Sequence, residues 1–488
     1  MAVQPGPIGT VISRLADERP DAPALTVGSR TLTRRELDVR TNRLASRLGR
    51  QGARAQSIVA VVLPNSIELV EAILAAWKLG ATPLVLPSKM PMHERAAVLE
   101  LAAPSLVVDN PQQVIGIDGN GEEPDDAPLA PVVARWWRAS TAGGSTGRPK
   151  LVLSTRPGTA DPDERTLLLR RDGAIVIPGP LYHGAPFLFA TTGLWRGKHV
   201  VLLDRFDPAA TLRAVSEYHA DYLMLVPTMM KRIWQLPDEV KRAADLSALR
   251  TVLHLGSACP VWLKEAWIEW LGPDRIHELY AGTEGQATTW ITGQEWLQHR
   301  GSVGRPVGGA VMQAFDPDSD RPLPPGEVGE IFMRPVEDAA PTYQYVGADA
   351  RKRGRWESLG DMGWVDADGY VYIVDRRVDM IVTGGSNVYP AEVEMALEEH
   401  PDVDAVVVVG LPDDDLGHRV HAIVEASQAL EANELAAFLA ERLVRYKIPR
   451  TFEFVDTPLR DEAGKVRRAL LRDQRMDRAG PGPSVRPD

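Results

Sequence analysis

Residues 142–150 read Ala142-Gly143-Gly144-Ser145-Thr146-Gly147-Arg148-Pro149-Lys150. Glycines let a backbone turn its N–H groups toward one point, the hydroxyls of Ser145 and Thr146 add donors, and Lys150 adds positive charge. That set suits a polyphosphate. The familiar phosphate-binding loop ends in Gly-Lys-Ser/Thr and opens a helix, whereas Pro149 separates Gly147 from Lys150. A different nucleotide loop is therefore expected, with a plain surface linker as the alternative for this stretch on its own. More residues able to do chemistry follow. Tyr280-Ala281-Gly282-Thr283-Glu284 sets a hydroxyl and a carboxylate after an aromatic ring, and Ser358-Leu359-Gly360-Asp361 presents an aspartate before Gly363-Trp364. Asp375-Arg376-Arg377, Gly384-Gly385-Ser386-Asn387 and Gly464-Lys465 complete the order.

These residues need a scaffold. Unbroken apolar runs at 57–63, 83–86, 105–108, 174–177, 199–203, 222–226 and 251–255 predict buried strands, and residues 67–79 carry apolar positions at helical spacing. Strands without polar alternation imply sheets covered by helices, an α/β fold. Residues 109–131, rich in Pro, Gly and acidic residues, read as a loop. Composition changes near residues 374–379. Beyond it, expected helices at 390–397 and 434–443 and strands at 403–409 and 420–424 make an α+β module of about 110 residues, large enough for its own core. Residues 478–488 read as a disordered Pro/Gly-rich stretch.

At 488 residues the chain is too long for one core, so at least two domains are expected. A formal charge of -11 argues against nucleic acid as a partner. The single cysteine, Cys259, excludes an intrachain disulfide and a thiolate metal cage, and its setting reads as a small buried residue. Neither a signal pattern nor a membrane-length apolar run is present in the sequence, so a cytoplasmic protein is expected.

Taken in order, and with Ser302-Val303-Gly304-Arg305-Pro306, the motifs resemble the adenylate-forming superfamily of acyl-CoA ligases, peptide-synthetase adenylation domains and luciferases. The resemblance spans residues 24–471. It implies a large N-terminal domain of helix-covered β-sheets (1–375) and a smaller mobile α+β C-terminal domain (376–488), with a hinge at 376–379. It further implies ATP and Mg²⁺ as cofactors, a carboxylic acid as substrate, and CoA as acceptor. By resemblance, Gly143, Gly144, Ser145, Thr146, Gly147 and Lys150 hold the β- and γ-phosphates, Thr283 meets the α-phosphate and Glu284 ligates Mg²⁺. Asp361 holds the ribose with Arg376. Gly256, Ser257, Ala258 and Tyr280 line the adenine slot, and Ala281 and Gly282 also belong to the ATP site. Lys465 is the implied catalytic lysine, bridging the attacking carboxylate and the α-phosphate. A solvated lysine near Arg467, Arg468 and Arg472 is the plain alternative. Gly384 and Gly385 leave room for the pantetheine arm of CoA once the domain has swung.

His183 matches the gate beside the substrate carboxylate and titrates near neutrality in its ordinary state. With Phe187, Thr228, Leu255, Ala281 and Gln286 it forms the implied acyl pocket. No lysine or arginine is evident near that pocket in the sequence, which favours an apolar acid over a dicarboxylate or amino acid. Four positions depart from the pattern: Ala142 in place of a hydroxyl residue, Ala281 in place of glycine, Val378 at the pivot, and Asp375 before Arg376 where many members have glycine. The phosphate loop, Trp356-Glu357-Ser358 and residues 375–381 look most like the bile-acid and steroid CoA-ligase branch. A bulky alicyclic acid of secondary metabolism is the expected substrate, with aryl acids second. A free-standing enzyme that loads a carrier protein, and a non-catalytic acyl-adenylate sensor, are the competing classes. A homodimer is compatible with the sequence.

Overall fold

The computed structural model describes residues 5–115, 127–142, 150–164, 168–319, 321–336, 340–426, 428–461 and 464–476. The phosphate-loop residues 143–149 and the stretch 478–488 lie outside the described residues.

The strands expected from apolar runs form where they are expected. Ala174–Ile177, His199–Leu202, Tyr222–Leu225 and Thr251–Leu255 pair in parallel within a nine-stranded sheet, joined by Pro23–Val27 on one side and Ile276–Ala281 on the other. A six-stranded sheet holds Leu106–Val108, Ile58–Val61, Thr82–Val85, Ala139–Ala142, Lys150–Ser154 and Tyr343–Val346. The largest core lies between these sheets. It takes Val59, Val61 and Val85 from one sheet and Leu25, Ile175, Ile177 and Leu202 from the other, with the helices Ile8–Glu18, Ile67–Lys78 and Gly184–Trp195 filling the space. The alternate residues Val176, Val201, Leu223 and Val252 face a second core under the helices Pro208–Glu217, Pro227–Trp234 and Val261–Leu271. Burial on both faces explains why these strands read as continuous apolar runs. Helix Ile67–Lys78 begins at Ser66, whose hydroxyl accepts from the Leu69 N–H at 3.1 Å.

The region 305–376 departs from strand–helix alternation. Val311–Phe315, Gly329–Arg334, Arg351–Arg353, Trp356–Val365 and Val371–Arg376 form a five-stranded antiparallel sheet with its own small core. Short hairpin connections allow such pairing without crossover helices. This sheet carries both Asp361 and Arg376. Within the stretch read as a loop, Pro111–Ile115 is a short helix.

The C-terminal part has a separate core. Val403–Asp413 and Gly417–Ala426 pair antiparallel, Thr451–Val455 adds a parallel strand, and Val393, Leu397, Val406, Val408, Leu435 and Leu439 pack together beneath the helices Pro390–Leu397 and Ala432–Ala440. No helix among the described residues is long and apolar enough to cross a membrane.

Candidate active site

Parallel strands deliver their C-terminal ends to one edge, where open α/β sheets bind ligands. Gly256, Ser257 and Ala258 follow Thr251–Leu255, and Tyr280 and Ala281 end the neighbouring strand Ile276–Ala281. Gly256 has φ +93°, which lets the chain turn away from the strand end. The three loop residues and Ala281 are exposed to the cleft, whereas Leu255 is buried.

Ala142 stands opposite Lys150 in an antiparallel pair, so Lys150 opens a strand and not a helix, as the Pro149 spacing implies. Its ammonium lies 3.9 Å from a Glu284 carboxylate oxygen and 4.1 Å from the Tyr345 ring centroid. Tyr345 donates its phenol hydrogen to the same Glu284 oxygen, and the Thr342 hydroxyl donates to the Glu284 carbonyl at 2.9 Å. Behind this loop Arg138, 9% exposed, donates to the Gly184 carbonyl at 2.9 Å and reaches the Thr283 carbonyl at 3.5 Å. Burial lowers its guanidinium to about 10, and nearby Glu284 pulls it back up.

Across the cleft, Asp361 and Arg376 sit directly opposite each other on paired strands, Nε to Oδ1 3.4 Å. Tyr280 donates its hydroxyl hydrogen to the second Asp361 oxygen. Gln286 is buried, its side-chain amide 3.5 Å from the Glu357 carboxylate. Phe187 is turned into the core against Trp77 and Trp137, with ring centroids 5.9 and 5.5 Å away.

Lys465 arrives from the C-terminal part. A tight turn fixes its backbone: its N–H donates to the Asp461 carboxylate and its carbonyl accepts from the Asp461 N–H, both at 2.9 Å. Gly464, at φ +75°, lies so close to Thr228 that a Cβ there would stand 2.4 Å from the Thr228 hydroxyl. Although Lys465 as a whole is exposed, burial of its ammonium among the surrounding protein atoms lowers its pKa from the ordinary lysine value. Asp461 opposes that shift, Arg376 adds to it, and Glu284 opposes it. His183 Nε2 lies 3.9 Å from the Asp461 carboxylate. Burial, with Lys465 adding to it, drives its pKa down to about 3, so the ring is neutral at pH 7 and does not titrate near neutrality. Arg138, Lys150, Arg376 and Lys465 all feel Glu284 as a shared acid. Four cations within electrostatic reach of one carboxylate make this region attractive to a strongly anionic ligand.

The AMP-binding enzyme family matches residues 12–138 and 141–343, and the AMP-binding enzyme C-terminal domain matches 392–465. The chain belongs to this family. A feruloyl-CoA synthase of an Amycolatopsis species is 31% identical over 494 residues, covering 95% of this chain and 98% of the relative. A Rhodococcus jostii enzyme, 3-[(3aS,4S,7aS)-7a-methyl-1,5-dioxo-octahydro-1H-inden-4-yl]propanoyl:CoA ligase, is 29% identical over 97% of this chain and the whole of that protein. Among solved structures, the o-succinylbenzoate coenzyme A synthetase of Bacillus subtilis in complex with ATP and magnesium ion superposes with a TM-score of 0.79 at 25% identity, covering 96% and 99% of the two chains. Like these AMP-binding relatives, the chain is an AMP-forming acid–thiol ligase.

Within this AMP-binding enzyme, the structure brings Lys150, Thr283, Glu284, Asp361, Arg376, His183 and Lys465 to one cleft. Gly384 and Gly385, at φ +53° and +78°, form a turn in the C-terminal part where Gly384 donates to the Leu416 carbonyl. Cys259 is half-buried, not fully buried, and burial raises its thiol pKa, the opposite of a reactive thiolate. Two residues escaped the sequence. One is Arg138, beside Gly184 and Thr283, and nothing local to Trp137-Arg138-Ala139 signals it. Tyr345 could have been suspected from its strand spacing with Tyr343, which places both rings on one face.

Proposed function

We propose that this enzyme couples ATP to the activation of a bulky, mainly apolar ring acid and passes the acyl group to CoA. The observation that carries the reading is the close approach of Gly464 to Thr228, which brings the adjacent Lys465 within electrostatic reach of Arg376 and Glu284. In the first step a carboxylate oxygen of the acid bonds to the α-phosphorus of ATP as the bridge to the β-phosphate breaks, and pyrophosphate leaves. Negative charge moves onto the phosphate oxygens, so fixed cations stabilise the transition state. Lys465 faces the attacking carboxylate and the α-phosphate, Lys150 the outer phosphates, and the Thr283 hydroxyl the α-phosphate. Asp361, steered by Tyr280 and Arg376, accepts from the ribose hydroxyls. Neutral His183 borders the carboxylate without competing for it as an ion.

Glu284 fits Mg²⁺, a hard cation that takes one or two protein carboxylates and fills its shell with phosphate and water. Tyr345 holds this carboxylate in place. When bound, Mg²⁺ supplies charge neutralisation at the leaving phosphates. In the second step the C-terminal part turns about residues 376–379, Lys465 withdraws and Gly384–Gly385 admit the pantetheine arm. The thiol sulfur then bonds to the acyl carbon, AMP leaves and the thiol proton passes to solvent.

The bicyclic substrate named for the Rhodococcus relative supports an alicyclic acid. The feruloyl-CoA synthase supports an aryl acid as the second reading. One experiment separates them: purified enzyme, ATP and Mg²⁺ are incubated with an acid panel and CoA or a carrier protein, and pyrophosphate and thioester mass are read. Polycyclic alicyclic acids should exceed benzoate, acetate and straight-chain acids in kcat/KM. A ranking led by hydroxycinnamates moves the assignment to aryl acids, and absence of pyrophosphate with every acid overturns the function.

A further inference from the structure

The helix Pro390–Leu397 has no cap of its own. Tyr389 precedes it without a side-chain hydrogen bond, and Pro390 has no N–H to offer, so the first amide needing a partner is that of Ala391. Asp375 supplies the acceptor from outside the element, its Oδ2 taking the Ala391 N–H at 2.7 Å. Its other oxygen takes the Arg376 N–H, also at 2.7 Å. The Asp375 backbone belongs to the antiparallel sheet, paired with Met362 next to Asp361, and its side chain is buried. A carboxylate here both satisfies an orphan amide and meets the positive end of the helix. The contact spans residues 376–379, the segment about which the small domain would turn.

The capped helix leads to the lysine. Glu394, one turn further along, takes both terminal nitrogens of Arg468, at 3.1 Å for the Nη2 contact, and accepts from the Val408 N–H at 2.7 Å. Arg468 also donates to the Val408 carbonyl at 2.6 Å and approaches Asp379 to 3.5 Å. Lys465 lies three residues before Arg468. A continuous route therefore runs from the nucleotide-binding sheet through Asp375, the helix amide, Glu394 and Arg468 to the turn that carries Lys465. We infer that Asp375 is a positioning residue: by capping the helix Pro390–Leu397 from across the hinge, it holds the C-terminal domain in the orientation that places Lys465 for adenylation. The inference rests on the proposed two-step function and names a part of it that the motif pattern leaves blank. Asp375 shares the task. Lys231 donates to the Val403 and Asp404 carbonyls at 3.0 and 3.1 Å, and Gly464 rests on Thr228, so loss of the cap loosens the orientation without abolishing it.

The test measures the two half-reactions separately in the full chain, by ATP–pyrophosphate exchange with an accepted acid and by thioester formation from supplied acyl-adenylate and CoA. Asp375→Ala should slow exchange by roughly three- to thirty-fold, the factor an ordinary capping contact represents, while thioester formation stays within about twofold of wild type. Asp375→Asn keeps an acceptor oxygen and should retain most of the exchange rate; Asp375→Ser, too short to reach Ala391, should match alanine and serves if the alanine variant does not fold. Equal losses in both half-reactions would show a merely structural residue and overturn the inference, as would unchanged exchange in the alanine or serine variant. Wild type run alongside keeps the claims apart: normal wild-type turnover with unsplit variant rates rejects only the capping role, whereas a wild type that exchanges with no acid rejects the proposed function.

Discussion

Substituting Gly464 tests the placement of Lys465 without touching the lysine. Gly464 has φ +75°, a left-handed conformation that costs an L-residue about 1–2 kcal/mol. An added Cβ would also lie 2.4 Å from Thr228 Oγ1, 3.1 Å from its Cγ2 and 3.3 Å from its Cβ. To restore ordinary contact the turn would have to lift by roughly 1 Å, and misplacement on that scale can cost about 10²-fold in rate. Gly464→Ala should therefore slow adenylation about a hundredfold, equivalent to about 2.7 kcal/mol of barrier. Thioester formation from supplied acyl-adenylate should be nearly unchanged, because in the proposed second step Lys465 plays no part. The assay is rapid-quench detection of pyrophosphate, with thioester formation followed separately by mass. Thr228→Ala removes Oγ1 and Cγ2 and leaves the 3.3 Å Cβ contact, so the double variant should recover about tenfold and retain the backbone cost. Adenylation within threefold of wild type in Gly464→Ala, or equal losses in both steps, would refute the close seating of Gly464 against Thr228 as what places Lys465 for catalysis.

Tyr345→Phe removes the hydrogen bond to Glu284 and keeps the ring beneath Lys150. A hydrogen bond to a charged group is worth about 1.5–3 kcal/mol, so calorimetry should show Mg²⁺-ATP binding weakened ten- to hundredfold with little change in melting temperature. His183 has a folded pKa of about 3, depressed from 6.5 by burial. Its contribution to stability is present above pH 6.5 and is lost as the pH falls toward 3, so His183→Asn should lose less stability than wild type between pH 7 and 4 in urea titrations. Lys78 is buried, with its ammonium donating to the Asp38 carboxylate at 2.6 Å, the Asp38 carbonyl at 3.0 Å and Asn42 at 2.5 Å. Asp38→Ala strands that charge and should cost about 3–5 kcal/mol in urea unfolding; a loss under 1 kcal/mol would show that the pair is dispensable.

The sequence by itself determined the elements and the inventory of chemistry. Runs such as Ala174–Ile177 and Ile58–Val61 are strands because β-branched and aliphatic residues without polar alternation need burial on both faces, a local property. The helix Pro390–Leu397 was legible from proline at its first position. Glycines, hydroxyls, Glu284, Asp361 and Lys465 announced nucleotide chemistry by type and order. Tertiary structure alone decided which polar groups meet. Arg138 and Thr283 are 145 positions apart, Tyr345 and Glu284 are 61 apart, and neither partner's neighbours encode the other. The same holds for the antiparallel sheet that sets Asp361 opposite Arg376, and for the Asp375 carboxylate that caps a helix beginning 15 residues later. The periodicity of apolar residues records burial one element at a time. A buried charge is matched by whatever the packing of distant elements brings within hydrogen-bonding distance, and that pairing exists only once the chain has folded.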